Sequence, residues 1–330
     1  MSGGFSNAPL ILTVTRECNL RCAYCPTVKE GWPSLSEEDA RRAVALFAEK
    51  YGGGDIKLFG GEPLLVPEVV WAVFEEARQR PEIRWVYLST NGLGLDSRWL
   101  KRLREYPKAV LTISLDGRPE DNRRFRKGVS SDTPDAYAHL MSLLPELLST
   151  PRVVVTQTIA PASAERAAEN FEHLLNLGFW RFNLLPGYFI PWRSGQLEAL
   201  AESFDVMASR MEGRWNADES FYLRNLFTWA PTPFFNTGLV VDADRTIHPS
   251  NVGLSGQLDG LRGKTQVGDL DNPPERELLQ ERAKEVRGML QETLPEKVWS
   301  STLAADAALT ALCQRLYPTY LAYRKRRNAA

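Results

Sequence analysis

The sequence predicts an α/β fold: a partial (β/α)6 TIM-like barrel followed by a smaller α+β C-terminal region. Three observations predict it. Short runs rich in β-branched and aromatic residues alternate with amphipathic helical segments through the first half. The strand-then-helix unit recurs at roughly 30-residue spacing, as parallel βα units require. The alternation ends near residue 190 after six strands, too few to close an eight-stranded barrel.

Strands are expected at Leu10–Thr15, Asp55–Phe59, Arg84–Ser89, Ala109–Leu115, Arg152–Ile159 and Trp180–Leu185. Between them, helices are expected near Ser36–Lys50, Pro67–Gln79, Ser97–Tyr106, Pro134–Leu148 and Ala164–Leu177. Ser36 with Asp39 three positions on reads as a helix start, and Gly178 as a helix stop. After Pro191 the pattern changes. Gln196–Met211 reads as a helix, and Gly238–Pro249 as a hairpin turning at Asp242-Ala243-Asp244-Arg245. Gly253–Pro274, rich in Gly and Asp, reads as loop, and helices are expected at Glu275–Thr293 and Ser301–Arg327. The expected division is 1–190 for the barrel and 191–330 for a cap region that meets the substrate.

Composition excludes several classes. With 40 basic and 41 acidic residues the net charge is −1, which gives no global attraction to nucleic acid or an anionic membrane. The basic run Arg324–Arg327 reads as a solvated helix end. The first residues carry no signal-peptide pattern, and no apolar stretch approaches the roughly 20 residues of a membrane span. A cytoplasmic location is expected. Four cysteines in 330 residues cannot make a disulfide scaffold, and three of them fall within eight positions, which reads as metal binding. The fourth, Cys313, sits in an apolar helical stretch and reads as a buried small hydrophobe.

The three are Cys18, Cys22 and Cys25, spaced CxxxCxxC directly after the first strand. Thiolates at this spacing can take three corners of a cubane cluster and leave the fourth iron open, where a fully ligated cluster takes four cysteines. The alternative is zinc. That metal wants a fourth Cys or His nearby, and the nearest histidine, His139, is over a hundred residues away. Tyr24 is placed to cover the cluster or a cofactor ring.

The run Cys18-Asn19-Leu20-Arg21-Cys22-Ala23-Tyr24-Cys25 resembles the signature of the radical S-adenosylmethionine (radical SAM) superfamily, in which an aromatic residue precedes the third cysteine. The resemblance implies one [4Fe–4S] cluster whose open iron is chelated by SAM. It also implies reductive cleavage to a 5′-deoxyadenosyl radical, with the electron from an external flavodoxin- or ferredoxin-type reductant. Gly60-Gly61-Glu62-Pro63 resembles the family's GGEP motif, which implies a hold on the SAM amino group. Ser89-Thr90-Asn91-Gly92 resembles a second element near SAM, giving Ser89 and Asn91 as candidates. Ser114-Leu115-Asp116-Gly117 resembles a third, giving Ser114 and Asp116. A downstream arginine that contacts SAM would be Arg126, with Arg123 and Arg124 as alternatives. Leu184 or Leu185 could pack on the adenine or simply form core. All of these fall at C-terminal ends of strands, where βα barrels build their sites.

The hairpin of the second half resembles the SPASM/twitch extension, with Phe235 or Asn236 and Ser250 where auxiliary-cluster cysteines would stand. Gly268-Asp269-Leu270 resembles the step that follows. A degenerate extension without its own cluster is therefore expected. The GGEPLL and SLDG forms resemble peptide-modifying enzymes, so a peptide or protein substrate is the leading expectation, with a small-molecule intermediate as the alternative. A non-catalytic iron–sulfur protein is the third reading. Because the signature begins at residue 18, a peptide would need a separate recognition protein or capture by residues 190–330. The aromatic stretches Tyr188–Trp192 and Phe221–Phe235 could line such a groove or simply form core. Asp242, Asp244 and His248 could serve as polar site residues or as turn chemistry.

Overall fold

The computed structural model describes residues 8–27, 29, 31–228, 237–254 and 258–329. The chain begins with strand β1 (Leu10–Thr15), buried along its whole length as a strand covered on both faces should be. A loop carrying β2 (Leu20–Cys22) leads to α1 (Glu37–Tyr51). The hydroxyl of Ser36 accepts from the Asp39 amide at 3.0 Å, and Gly52 ends the helix at φ +81°.

There follow β3 (Gly54–Gly60), α2 (Pro67–Gln79), β4 (Ile83–Thr90), α3 (Ser97–Arg104), β5 (Ala109–Ser114), α4 (Pro119–Phe125) and β6 (Arg126–Gly128). Next come α5 (Ala136–Ser142), α6 (Leu144–Ser149), β7 (Val153–Ile159), α7 (Ala167–Asn176), β8 (Arg181–Pro186), α8 (Ser194–Asn216) and β9 (Tyr222–Leu223). The chain finishes with β10 (Thr237–Val241), β11 (Thr246–Ser250), α9 (Asp259–Thr265), β12 (Gly268–Asp269), α10 (Arg276–Thr293) and α11 (Glu296–Ala329).

Ten strands form one open sheet in the order β12-β11-β10-β1-β3-β4-β5-β7-β8-β9. From β10 to β9 every pairing is parallel; only β10–β11 and β11–β12 are antiparallel. This is the expected partial barrel. Alternate residues point to opposite faces. Leu12, Ile56, Leu58, Val86, Leu88, Leu111, Ile113 and Val155 join the core under the helices. Their neighbours Thr13, Lys57, Tyr87, Thr112 and Thr156 face the concave side, so the inner wall is polar in composition.

All six expected strands form, each within two residues of its expected ends. Differences lie in the short elements. The helix expected over Pro134–Leu148 is two, because Pro145 in the first turn of α6 lacks the amide that would continue α5. The stretch Gly253–Pro274, read as loop, holds α9 and β12. The sequence also gave no sign of the β2–β6 pair, whose three residues per strand are too few for a visible period.

The sheet runs through the division at 190/191: β10 pairs with β1, Leu10↔Leu239 and Leu12↔Val241. α8 and α11 close one side through Trp215, whose Nε1 donates to the Phe221 carbonyl at 3.0 Å and whose ring meets Tyr320 edge-on at 5.5 Å. Phe221 stacks on Phe182 inside this core, Tyr222 stacks on the exposed Phe227, and Phe221 and Tyr222 also line a small cavity with Tyr320 and Tyr323. Phe234 and Phe235, with Trp229 and Asn236, lie outside the described residues. Tyr188 and Phe189 join a second apolar cluster with Val286 and Leu290 of α10. Cys313 is only partly buried, packed against the main core. Among the described residues, no helix is long and apolar enough to cross a membrane.

Candidate cluster and cofactor site

Cys18, Cys22 and Cys25 occupy the loop that β1 delivers at its C-terminal end, and all three are free, partly buried thiols. The loop is pinned from both sides. Its β2 pairs with β6, Cys22 opposite Arg126. On the other side the Gly61 amide donates to Thr15 O at 2.9 Å and the Glu62 amide to Glu17 O at 2.8 Å. A Cβ on Gly61 would overlap the carbonyls of Arg16 and Glu17, and Gly60 holds φ +136°, so both glycines are required by this close approach.

N–H donors approach two of the three sulfurs. The Leu20 amide lies 3.4 Å from Cys18 Sγ, Asn91 Nδ2 lies 3.9 Å from it, and Arg126 Nη1 lies 4.0 Å from Cys22 Sγ. Burial pushes the Cys22 thiol up to about 11, with Arg126 working against it; Cys18 is also raised by burial. Among the described residues, no three His, Cys, Asp or Glu side chains gather as a single metal ion needs. A cubane is wider than one ion and takes its thiolates at separate corners, and N–H donors aimed at sulfur suit a bound anionic cluster. The donor set fits the cluster.

Glu62 is buried, and its carboxylate accepts from Leu64 N at 3.0 Å, Thr90 Oγ1 at 2.7 Å and Asn91 N at 2.7 Å. Burial raises its pKa, and these three donors work against that shift. Its carboxylate thus ties the tips of β3 and β4 together, while Pro63 opens the short turn that follows. Asn91 reaches on to Asn19 Oδ1 at 2.7 Å, a contact between residues 72 positions apart that leaves no local signal.

Across the loop, Asp116 accepts from Arg126 Nη2 at 2.8 Å, Arg126 Nε at 3.0 Å, Tyr24 Oη at 2.6 Å and the Thr158 amide at 3.1 Å. Burial holds the Tyr24 phenol protonated, well above its ordinary value. Arg123 instead pairs with Asp135 at the surface, and Arg124 lies over Phe125, so of the three arginines Arg126 alone turns to the cysteine loop. Ser89 and Ser114 lie on the concave side of β4 and β5, alternating with the core residues Leu88 and Ile113. Leu184 points into the core beneath the helices, whereas Leu185 packs beside Tyr188 and Phe189.

A cavity of about 560 Å³ opens beside the loop, lined by Tyr24, Phe125, Ala160, Ile190, Arg193 and Lys297 among others. The hairpin side chains lie elsewhere. Asp242 accepts from Arg16 Nε at 3.1 Å, and Arg16 lies over the Trp32 ring at 3.6 Å. Arg262 pairs with Asp244. His248 is held by Thr246 and Thr265 hydroxyls at 2.9 and 3.1 Å. These residues brace the hairpin on β1.

The radical SAM superfamily profile matches residues 12–188. The chain belongs to the radical SAM superfamily. A radical SAM enzyme requires SAM, an iron–sulfur cluster, a substrate and a reductant. Sequence relatives include molybdenum cofactor biosynthesis protein 1 of Bos taurus, 36% identical over 121 residues, covering 35% of this chain and 18% of that protein. The GTP 3′,8-cyclase of Chlorobaculum tepidum is 34% identical over 148 residues, 44% of this chain and 42% of its own. The chain thus spans less than half the length of these curated relatives. In fold it resembles anSMEcpe with bound AdoMet, at TM-score 0.73 and 14% identity, covering 94% of this chain and 97% of that one. Streptococcus suis SuiB bound to S-adenosylmethionine follows at TM-score 0.61 and 12% identity, over 85% and 68%.

These relatives correct the expectation of a peptide or protein substrate. Proteins above 30% identity carry the names of small-molecule enzymes, one of them acting on GTP. The motifs that suggested peptides are contacts of the cysteine loop and strand tips, such as Gly61 with Thr15, so they report on the cofactor end of the barrel and say little about substrate.

Proposed function

We propose that this protein is a radical SAM enzyme acting on a small-molecule biosynthetic intermediate with a single [4Fe–4S] cluster. The observation that carries the reading is the cysteine loop itself: three free thiols, with N–H donors at Cys18 and Cys22 and bracing by Gly61 and Arg126, lie beside a cavity of about 560 Å³. When bound, the cluster and SAM supply a 5′-deoxyadenosyl radical for hydrogen abstraction. The chain's own residues do the positioning. Cys18, Cys22 and Cys25 would hold three irons. Gly60, Gly61, Glu62 and Pro63 would offer backbone to the SAM amino group, with Ser89, Asn91 and Ser114 lining its path. Tyr24 would cover the cofactor, fixed by Asp116 and Arg126, and Leu185 would meet the adenine. One cluster is inferred because only Cys313 is left over, far from the hairpin in sequence.

The test uses anaerobically reconstituted protein with SAM and a one-electron reductant. Metabolites from cells grown in deuterated medium are split at about 1 kDa. The low-mass fraction should raise 5′-deoxyadenosine output and deposit deuterium in it. Deuterium arriving only from the high-mass fraction would overturn the reading.

A further inference from the structure

The cavity of about 560 Å³ beside the cysteine loop has walls from two parts of the chain. One belongs to the barrel: Ala23 and Tyr24, which lie between Cys22 and Cys25, with Phe125 and with Ala160 just past β7. The other comes from beyond β8: Ile190, Arg193 just before α8, Gln196 in its first turn, and Lys297 in the first turn of α11. This second wall is held in place. Trp192 Nε1 donates to Gly187 O at 2.8 Å, the Phe189 amide donates to Thr302 Oγ1 at 3.3 Å, and both aromatic residues are buried. Of the residues expected to hold SAM, Tyr24 alone lines the cavity; the tips of β3, β4 and β5 take no part in it.

The charge of the lining is one-sided. Arg193 and Lys297 are exposed at the rim. Among the described residues no Asp or Glu lines the cavity, and neither cation pairs with an acid. Gln196 Oε1 accepts from the Arg193 amide at 2.9 Å, which leaves its Nε2 as a further donor. The opposite wall is apolar, built around the Tyr24 and Phe125 rings 6.5 Å apart, and the Tyr24 hydroxyl is committed to Asp116.

We propose that Arg193 and Lys297 hold a phosphate group of the substrate at the rim of this cavity, with the rest of the molecule lying inward against Tyr24 and Phe125. This deepens the small-molecule reading and rests on it. Two cations on one cavity repel each other, and a bound anion offsets that cost. A phosphate monoester carries about two negative charges near pH 7, which matches the pair. The guanidinium fork can hold two of its oxygens at once. The volume suits a small molecule, since such ligands fill cavities of about 300–1,000 Å³. Because Ala23 and Tyr24 belong to the cysteine loop, anchoring the phosphate at the opposite wall fixes which end of the molecule meets that loop.

The experiment titrates inorganic phosphate, and malonate as the carboxylate probe, separately into the reconstituted, SAM-loaded protein by calorimetry. Wild type is compared with Arg193→Gln, Lys297→Met and the exposed control Lys101→Met on α3. Thermal melting checks folding, and a SAM titration checks the cofactor end. Phosphate should bind wild type and control more tightly than malonate does. Arg193→Gln and Lys297→Met should each weaken it about fivefold or more, as loss of a charge-assisted contact does, with SAM affinity unchanged. No phosphate binding, malonate binding as tightly, unchanged phosphate binding in either variant, or a parallel loss of SAM affinity overturns the subsite. The deuterium-transfer test separates this claim from the reading beneath it. Transfer from the low-mass fraction without phosphate binding removes the subsite alone, as does transfer that survives phosphatase treatment of that fraction. Deuterium arriving only from the high-mass fraction removes the underlying reading.

Discussion

Arg126 and Asp116 form a two-pronged, almost fully buried ion pair, 2.8 and 3.0 Å long, whose carboxylate also fixes the Tyr24 hydroxyl and whose guanidinium reaches Cys22. It therefore joins the cysteine loop to the tip of β5. Breaking one partner strands a buried charge, which costs about 3–5 kcal/mol. Arg126→Met and Asp116→Asn are each expected to lose stability of that order in urea unfolding. Their combination should lose less than the sum. Strict additivity would show that the two do not act as a pair.

The cysteine triplet gives the most direct test. Reconstituted protein should hold about four irons per chain, one cubane's worth. The combined Cys18→Ala, Cys22→Ala and Cys25→Ala variant should hold close to none. Four irons persisting in that variant would reveal a second cluster.

Gly61→Ala probes the contact between the GGEP turn and the loop. The added methyl meets the carbonyls of Arg16 and Glu17, which are backbone and cannot swing aside. Overpacking of this kind costs about 1–3 kcal/mol. Lower stability and weaker SAM binding by calorimetry are expected together; unaltered values for both would refute the close approach.

How much of this was legible beforehand follows from what each feature depends on. The six long strands were legible because each is a short local run rich in β-branched or aromatic residues between helical segments, as Leu10–Thr15 is. The cysteines and Gly60-Gly61 were legible because spacing and glycine are local. The Arg16–Asp242 pair, spanning 226 positions, has no local trace, and neither has the contact of Asn91 with Asn19. The role of Glu62 in tying two strand tips was hidden for the same reason. Substrate class misled because the motifs read for it, GGEPLL and SLDG, sit at the cofactor end. The inner wall that meets substrate is spread one or two residues at a time over many strands.

His248 supplies a pH test. Burial, its largest influence, pushes its pKa down to about 4 from 6.5. Between those values the unfolded chain binds the extra proton, so stability rises with pH across that window and is lost as pH falls from about 6.5 to 4. His248→Gln should flatten the melting temperature against pH over this range. An unchanged slope would place the acid sensitivity in other groups.

The parallel contact of β10 with β1 sets an order of events during synthesis. β1 leaves the ribosome long before β10, so one of its edges has no partner until residues 237–241 emerge. For most of translation it is an open strand edge next to three reactive thiols, a state prone to mispairing between nascent chains. The cysteine loop is thus fully framed only when the sheet is completed. Iron–sulfur assembly on this protein is best timed after β10 has paired with β1, and slowing translation between residues 190 and 237 should lower the yield of correctly loaded enzyme.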